Sequence, residues 1–219
     1  LTLTELQRRE LALSEANKVL FPILGGARRL LQVAELARLH IAGAKVYSTT
    51  DKRIHIVFLD IFSHNPLIIA LYVSTQESRA TSPSQLLRRA KRLTKEVEKL
   101  RGREFISADV LYLYITRRRI TRGAYREARA RGILVALNSK EARRRIARYL
   151  LARLSKLLQK ITSKRIWGRL ALFAYALSIL AKKLGAEINE PSIITIVKAY
   201  ELGIDTHILQ EVLKPPLHT

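Results

Sequence analysis

One stretch limits the fold more than any other, Tyr114 to Leu137, which reads YITRRRITRGAYREARARGILVAL. It divides into a strand, a basic turn, a short basic helix, a glycine stop and a second strand. Thr121 is a helix-capping residue, because its hydroxyl can accept from a free backbone N–H of the first turn. Gly132 can close the same helix in the left-handed conformation. A helix between two strands is the connection that parallel strands need, since antiparallel neighbours close through a tight turn. The segment is therefore expected to be a β-α-β unit. Arg117, Arg118 and Arg119 fall where its first strand ends, so the unit presents a cationic edge and points to a polyanionic partner.

The whole chain agrees with that edge. Its 40 Lys and Arg face 18 Asp and Glu, a net charge of +22 in 219 residues. Thermophilic proteins have charged surfaces and avoid thermolabile residues, and this chain has no Cys and no Met. A thermophilic origin is thus expected, but ion-pair networks use both signs and do not account for the excess. An anionic partner does, with nucleic acid first and an anionic membrane surface second. The excess belongs to residues 1–185: beyond them Lys198 and Lys214 face Glu187, Glu190, Glu201, Asp205 and Glu211.

Several classes drop out. Without cysteine there is no disulfide and no thiolate metal site. His40, His55, His64, His207 and His218 contain no i,i+4 pair, so neither a metal nor another cofactor is expected. No G-x-S-x-G occurs, and Gly25-Gly26 lacks the lysine of a P-loop. The longest apolar helical run, Leu170 to Ala181, has 12 residues between Arg169 and Lys182, too few to span a bilayer. With no signal-peptide pattern at the start, a cytoplasmic protein without a membrane partner is expected.

Capping and periodicity divide the chain further. Thr4 and Gln7 form a capping box for a helix over about Glu5 to Leu20, and Pro22 with Gly25-Gly26 is expected to break it. Ala27 to Ile41 reads as a second helix. Strands follow at Lys45–Thr49, Ile54–Phe62 and Leu67–Thr75, with turn residues Ser63 to Pro66 between the last two. The near-continuous apolarity of Leu67–Thr75 predicts burial on both faces. Ser82, Pro83 and Gln85 start a helix that reaches about Leu100. Val110–Thr116, Arg122–Arg131 and Ile133–Leu137 are strand, helix and strand. From Asn138, itself a cap with Glu141, the chain is helical, with an apolar stripe of Ile146, Leu150, Leu154, Leu157 and Ile161. A helix from about Lys164 to Leu184 stops at Gly185. The expected divisions are 1–26, an N-terminal helix; 27–137, an α/β core; and 138–219, a helical region.

The expected fold class is α/β, a mixed five-stranded sheet with a helical C-terminal region. The order α-β-β-β-α-β-α-β from Ala27 to Leu137 resembles the core of the restriction-endonuclease-like (PD-(D/E)XK) nuclease superfamily. Ile115-Thr116, Ile120-Thr121 and Ala124 to Ala128 occupy places similar to the late strand-helix-strand of its Mrr-type members. The resemblance implies an acidic residue near the start of the second strand and a Glu-x-Lys pair on the third, where carboxylates hold a divalent metal. In this chain His55 stands near the first place, and Leu71 and Val73 stand at the others. An uncharged strand offers no oxygen ligands to a hard cation, so no catalytic residue is assigned. A displaced site of Asp60, Glu77 and Lys91 is the nuclease alternative, against which Asp60 reads as a strand-end residue, Glu77 as a loop residue and Lys91 as part of a solvated face.

Four basic clusters could meet phosphates, whose contacts set affinity and salt dependence. Arg117, Arg118, Arg119 and Arg122 lie at the strand–helix junction, in a turn with no expected packing role. Arg88, Arg89, Lys91, Arg92 and Lys95 line one helix, where Glu96 and Glu98 offer pairing, and Arg143, Arg144, Arg145 and Arg148 line another, near Glu141. Lys164, Arg165 and Arg169 flank Trp167, a base-stacking candidate whose helical spacing suits a core residue better. Ile196 to Leu213 reads as a helix-turn-helix unit turning at Gly203, but its second helix has no cation before Lys214. That acidic hairpin suits packing or docking of a protein partner better than reading DNA. The expected function is non-catalytic binding of DNA or RNA through arginine-rich surfaces. The alternatives are a metal-dependent nuclease with a displaced site, and a structural subunit of a ribonucleoprotein or other large complex.

Overall fold

The structure is a computed structural model that describes residues 4–36, 43–47, 49, 51, 53–60, 66–75, 80–102 and 108–205; at 21, 23–36, 43–46, 59 and 60 it describes the backbone alone. The chain forms two compact units. One comprises residues 1–25 and 41–142, and the other residues 26–40 and 143–219.

Helix α1 runs unbroken over Glu5–Leu36 with Pro22 inside it. The expected break at Pro22 and Gly25-Gly26 is corrected. A proline costs a helix interior about 3 kcal/mol and a glycine about 1 kcal/mol relative to alanine, amounts that tertiary packing overrides. The glycine pair marks a unit boundary within the helix, not its end. Residues 26–40 therefore belong with the C-terminal helices, not with the α/β core. The capping box is present: Gln7 N–H donates to Thr4 Oγ1 at 3.3 Å, and Thr4 N–H to Gln7 Oε1 at 2.9 Å.

The first unit holds a mixed sheet of β1 (Gly43–Tyr47), β2 (Ile54–Asp60), β3 (Leu67–Ser74), β4 (Asp109–Thr116) and β5 (Ile133–Ala136), standing in chain order. β1 pairs only with β2, at the edge, and its Tyr47 packs partly buried against the core. β2 pairs antiparallel with β1 and β3, while β3–β4 and β4–β5 are parallel. Every residue of β3 is buried, as its unbroken apolarity predicts. Strand alternation sends Ile68, Ala70 and Tyr72 to one face. There they meet Leu86, Ala90, Leu93 and Val97 of α2 (Pro83–Arg101) and Ala124 and Ala128 of α3 (Arg122–Ala130). Leu67, Ile69, Leu71 and Val73, on the other face, are equally buried.

α2 starts as expected, with Pro83 in the first turn and a reciprocal Ser82–Gln85 capping box. It ends at Gly102 in right-handed geometry. α3 is capped by the Thr121 hydroxyl, which accepts from Ala124 N–H. Gly132, at φ 67°, follows it in the left-handed conformation.

In the second unit, α4 (Ser139–Lys160, whose first residues belong to the first unit) buries Ile146, Leu150, Leu151, Leu154 and Leu158. Leu157 and Ile161 of the expected stripe are half-buried, so the apolar face shifts onto Leu151 and Leu158. α5 (Lys164–Lys183) packs against α6 (Pro191–Glu201), with Tyr175 stacked on Tyr200 at 4.8 Å between ring centroids. The Gly203 turn follows α6 at φ 68°. The second helix of the expected helix-turn-helix, and the turn residues 63–65, lie outside the described residues. No described helix is long and apolar enough to cross a membrane.

A Cβ at Gly132 would meet nothing within 4 Å, so a substitution there tests backbone conformation alone. Gly132→Ala should lower the unfolding free energy by about 1–2 kcal/mol, and Gly132→Asn by less, because asparagine tolerates the left-handed region. Urea denaturation of the two variants checks this.

Candidate nucleic-acid interface

Parallel strands β3 and β4 end side by side, with Ser74 opposite Thr116. The segments that leave them are tied together. Thr81 N–H donates to Arg119 O and Thr121 N–H to Thr81 O, both at 3.2 Å, and the Thr121 hydroxyl also donates to Thr81 O. Thr116 Oγ1 accepts from Arg118 N–H at 3.2 Å. The arginine turn is therefore braced backbone and not a floppy loop. It delivers the starts of α2 and α3 to one sheet edge, where a Cβ on Gly123 would stand 3.1 Å from Pro83 Cγ. Any larger residue at 123 would press the two helix starts apart.

α2 and α3 pack against each other over one sheet face. Their buried residues recur at helical spacing, which turns Arg88, Lys91, Arg92 and Lys95 of α2 outward, and Arg122, Arg126 and Arg129 of α3 with them. The two helices contain three acids. Glu96 pairs with Lys99 at 2.7 Å, Glu98 with Arg101 at 3.2 Å and Glu127 with Arg131 at 2.7 Å. Every carboxylate of the layer is thus engaged near the C-terminal ends of its helices. Among the described residues, Arg88, Lys91, Lys95, Arg118, Arg119, Arg122, Arg126 and Arg129 have no ion-pair partner.

Three residues assigned to phosphate contact are held otherwise. Arg117 pairs with Glu15 of α1, a carboxylate whose residue is 4% exposed and which Lys18 also reaches at 2.8 Å. Its turn position thus hides a structural role, which corrects the expectation of none. Arg89 is half-buried: its guanidinium lies 5.9 Å and 6.0 Å from the ring centroids of Tyr72 and Tyr114. It donates to Ser74 Oγ at 3.0 Å and to the Tyr114 hydroxyl. The two tyrosine rings stack at 5.6 Å. Burial pushes the Tyr72 phenol above its ordinary range, against the pull of Arg89 and Arg53. Arg89 therefore caps the core, because a buried hydroxyl must find a partner. Arg92 reaches Asp51, though at 3.9 Å.

The α4 cluster belongs to the other unit. Arg144 is exposed, while Arg143, Arg145 and Arg148 are half-buried, and Arg148 pairs with Glu187 at 3.1 Å. Trp167 is 3% exposed and fills the core of that unit, which settles it as a packing residue.

Arg126 and Arg129 are the surface residues that reading by clusters missed. The available signal was periodic: Arg122, Arg126 and Arg129 stand opposite the alanines Ala124 and Ala128.

The places where the resemblance implies Glu and Lys, Leu71 and Val73, are 0% and 2% exposed, and Leu71 stands opposite His55 in register. Of the displaced set, Lys91 is exposed on α2, whereas Glu77 and the Asp60 side chain lie outside the described residues. Among the described residues no three His, Asp or Glu side chains come together. No family model, curated protein or solved structure matches the chain.

Burial alone would raise the Glu15 pKa, but hydrogen bonds from Lys18 and Arg117, with their charges, hold it below the ordinary carboxylate value. Its stabilising effect is therefore complete above about pH 4.3, the unfolded value, and is lost as pH falls through the lower folded value. Arg117→Ala should cost about 1–3 kcal/mol at neutral pH by stranding part of a buried carboxylate. Arg118→Ala and Arg119→Ala should stay within about 0.5 kcal/mol. Denaturant titrations of each variant at neutral and acid pH check this, with the Arg117→Ala deficit shrinking in acid.

Proposed function

We propose that this chain is a non-catalytic nucleic-acid-binding protein, of DNA or RNA, that grips phosphates through the outer layer of α2 and α3 and the Arg118–Arg119 turn. The observation that carries the reading is the separation of charge within that layer. Its acids are all engaged at one end, and among the described residues Arg88, Lys91, Lys95, Arg118, Arg119, Arg122, Arg126 and Arg129 have no ion-pair partner. Such a surface repels itself until an anion lies on it, and a nucleic-acid backbone supplies closely spaced phosphates.

The nuclease-like core is part of the same proposal. The chain-order sheet, with β2 opposed to its neighbours and helical crossovers after β3 and β4, supports it. The buried hydrocarbon at Leu71 and Val73 supports the loss of the superfamily's metal chemistry. A cytoplasmic location completes the reading.

Two outcomes test it. Purified protein should shift labelled duplex or structured nucleic acid with little sequence preference, since phosphate contacts carry no base information. The Arg118→Ala/Arg119→Ala/Arg122→Ala variant should bind more weakly, and its log affinity against log salt should flatten by about one unit for each phosphate that it no longer neutralises. It spares Arg117, so its fold is preserved. An unchanged affinity and slope would move the contact to Arg88 and its neighbours on α2 or to Arg144 and its neighbours on α4. No binding at low salt would put the protein-complex alternative first.

With Mg²⁺ or Mn²⁺, no cleavage of duplex, single-stranded or branched substrates should be seen. Cleavage that disappears in Asp60→Ala would establish the displaced nuclease site in place of this reading.

A further inference from the structure

Resting on that reading, we infer that Tyr125 stacks on an unpaired base, so that the α3 surface favours nucleic acid with unpaired bases over perfect duplex. Among the described residues Tyr125 is the one exposed aromatic side chain, at 46%. Tyr72, Tyr114, Trp167 and Phe173 are buried, and Tyr175 and Tyr200 stack on each other. The exception does not fall at random. It flanks the outward arginine stripe of α3, with Arg122 three residues before it and Arg126 and Arg129 one and four residues after it.

A lone exposed tyrosine needs no explanation. One bordering a cationic stripe combines the two elements that single-strand binders use, a basic track for the backbone and an aromatic face for the bases. Every base has such a face, so the contact is tolerant of sequence. A base paired inside a duplex keeps its faces covered by its stacked neighbours and cannot offer one.

The local packing leaves Tyr125 out of the helix–sheet contact. α3 meets the sheet through Ala124 and Ala128, both fully buried, so small side chains seat the helix and none of its larger ones is drawn inward at their positions. The one acid of α3, Glu127, is occupied by Arg131 at 2.7 Å and leaves the stripe positive. Arg118 and Arg119 extend the same charge into the turn that precedes the helix.

The test uses the full chain and four fluorescent probes at one fixed salt concentration: a single-stranded oligonucleotide, its perfect duplex, the same duplex with one bulged base, and the single strand as RNA. Wild type should bind the single strands and the bulged duplex more tightly than the perfect duplex. Tyr125→Ala should weaken the first group by about five- to tenfold, the lower part of the range for one stacked base, and leave the perfect duplex nearly unchanged. Tyr125→Phe should bind like wild type, because it keeps the ring and loses only the hydroxyl. Arg126→Ala should weaken all four probes together and lower the salt slope.

Equal weakening on every probe in Tyr125→Ala, or no preference for unpaired bases in wild type, would overturn the stacking assignment while leaving phosphate binding standing. Absence of binding to any probe would overturn both. Because the side chain is exposed, Tyr125→Ala should unfold at the same temperature as wild type, which separates removal of the stacking ring from damage to the fold.

Discussion

Parallel pairing of β3 with β4, from Leu67 opposite Asp109 to Ser74 opposite Thr116, is the constraint on which the first unit depends. A parallel neighbour cannot be reached by a hairpin, so the chain must leave the end of β3, cross a sheet face as a helix and return to the far end. The same demand recurs between β4 and β5. Crossovers of one hand place consecutive helices on the same face, and α2 and α3 do pack together over Ile68, Ala70 and Tyr72. Both helices then begin at one edge, where Thr81 ties the segment entering α2 to the turn entering α3. The nearness of the cations of the two helices is a consequence of strand direction.

Charge acts within that frame on two scales. Close in, Glu15 is buried and needs both Lys18 and Arg117, so one arginine of the turn, though still exposed, is withdrawn from its unpaired cations to hold α1. Arg89 is likewise withdrawn to satisfy Tyr114 and Ser74 beneath the layer. Farther out, the cations left exposed along α2 and α3 follow one another at helical spacing. Such neighbours lie within the Debye length, about 8 Å at physiological salt, so each feels the next. An anionic polymer relieves that repulsion along its whole length, whereas a small counter-ion does so only at one point.

Much of the architecture was legible because it is written in short-range rules. The unbroken apolar run of β3 demanded burial on both faces, Ser82-Pro83-Ser84-Gln85 specified a capped helix start, and Gly132 took the left-handed stop. The candidate surface was legible only as runs of arginine. A run says how many charges are present, but not which of them a distant carboxylate or hydroxyl has claimed. Glu15 lies 102 residues from Arg117, and Tyr114 lies 25 from Arg89. α1 misled for a related reason: Pro22 and the glycine pair carry a local penalty, and only packing of the helix within two different units decides whether that penalty ends it.

By itself, then, the sequence determined the element types, the presence of a mixed sheet and the sign and size of the charge. Each depends on neighbours a few residues apart or on composition. Tertiary structure decided the rest. It chose which arginines are structural, merged the turn with α2 and α3 into one cationic layer, and left Tyr125 exposed in the middle of α3 while burying Trp167, the aromatic that composition made conspicuous. Those outcomes are set by strand direction and by which helix face meets the sheet, and both are properties of the assembled layers and not of any segment within them.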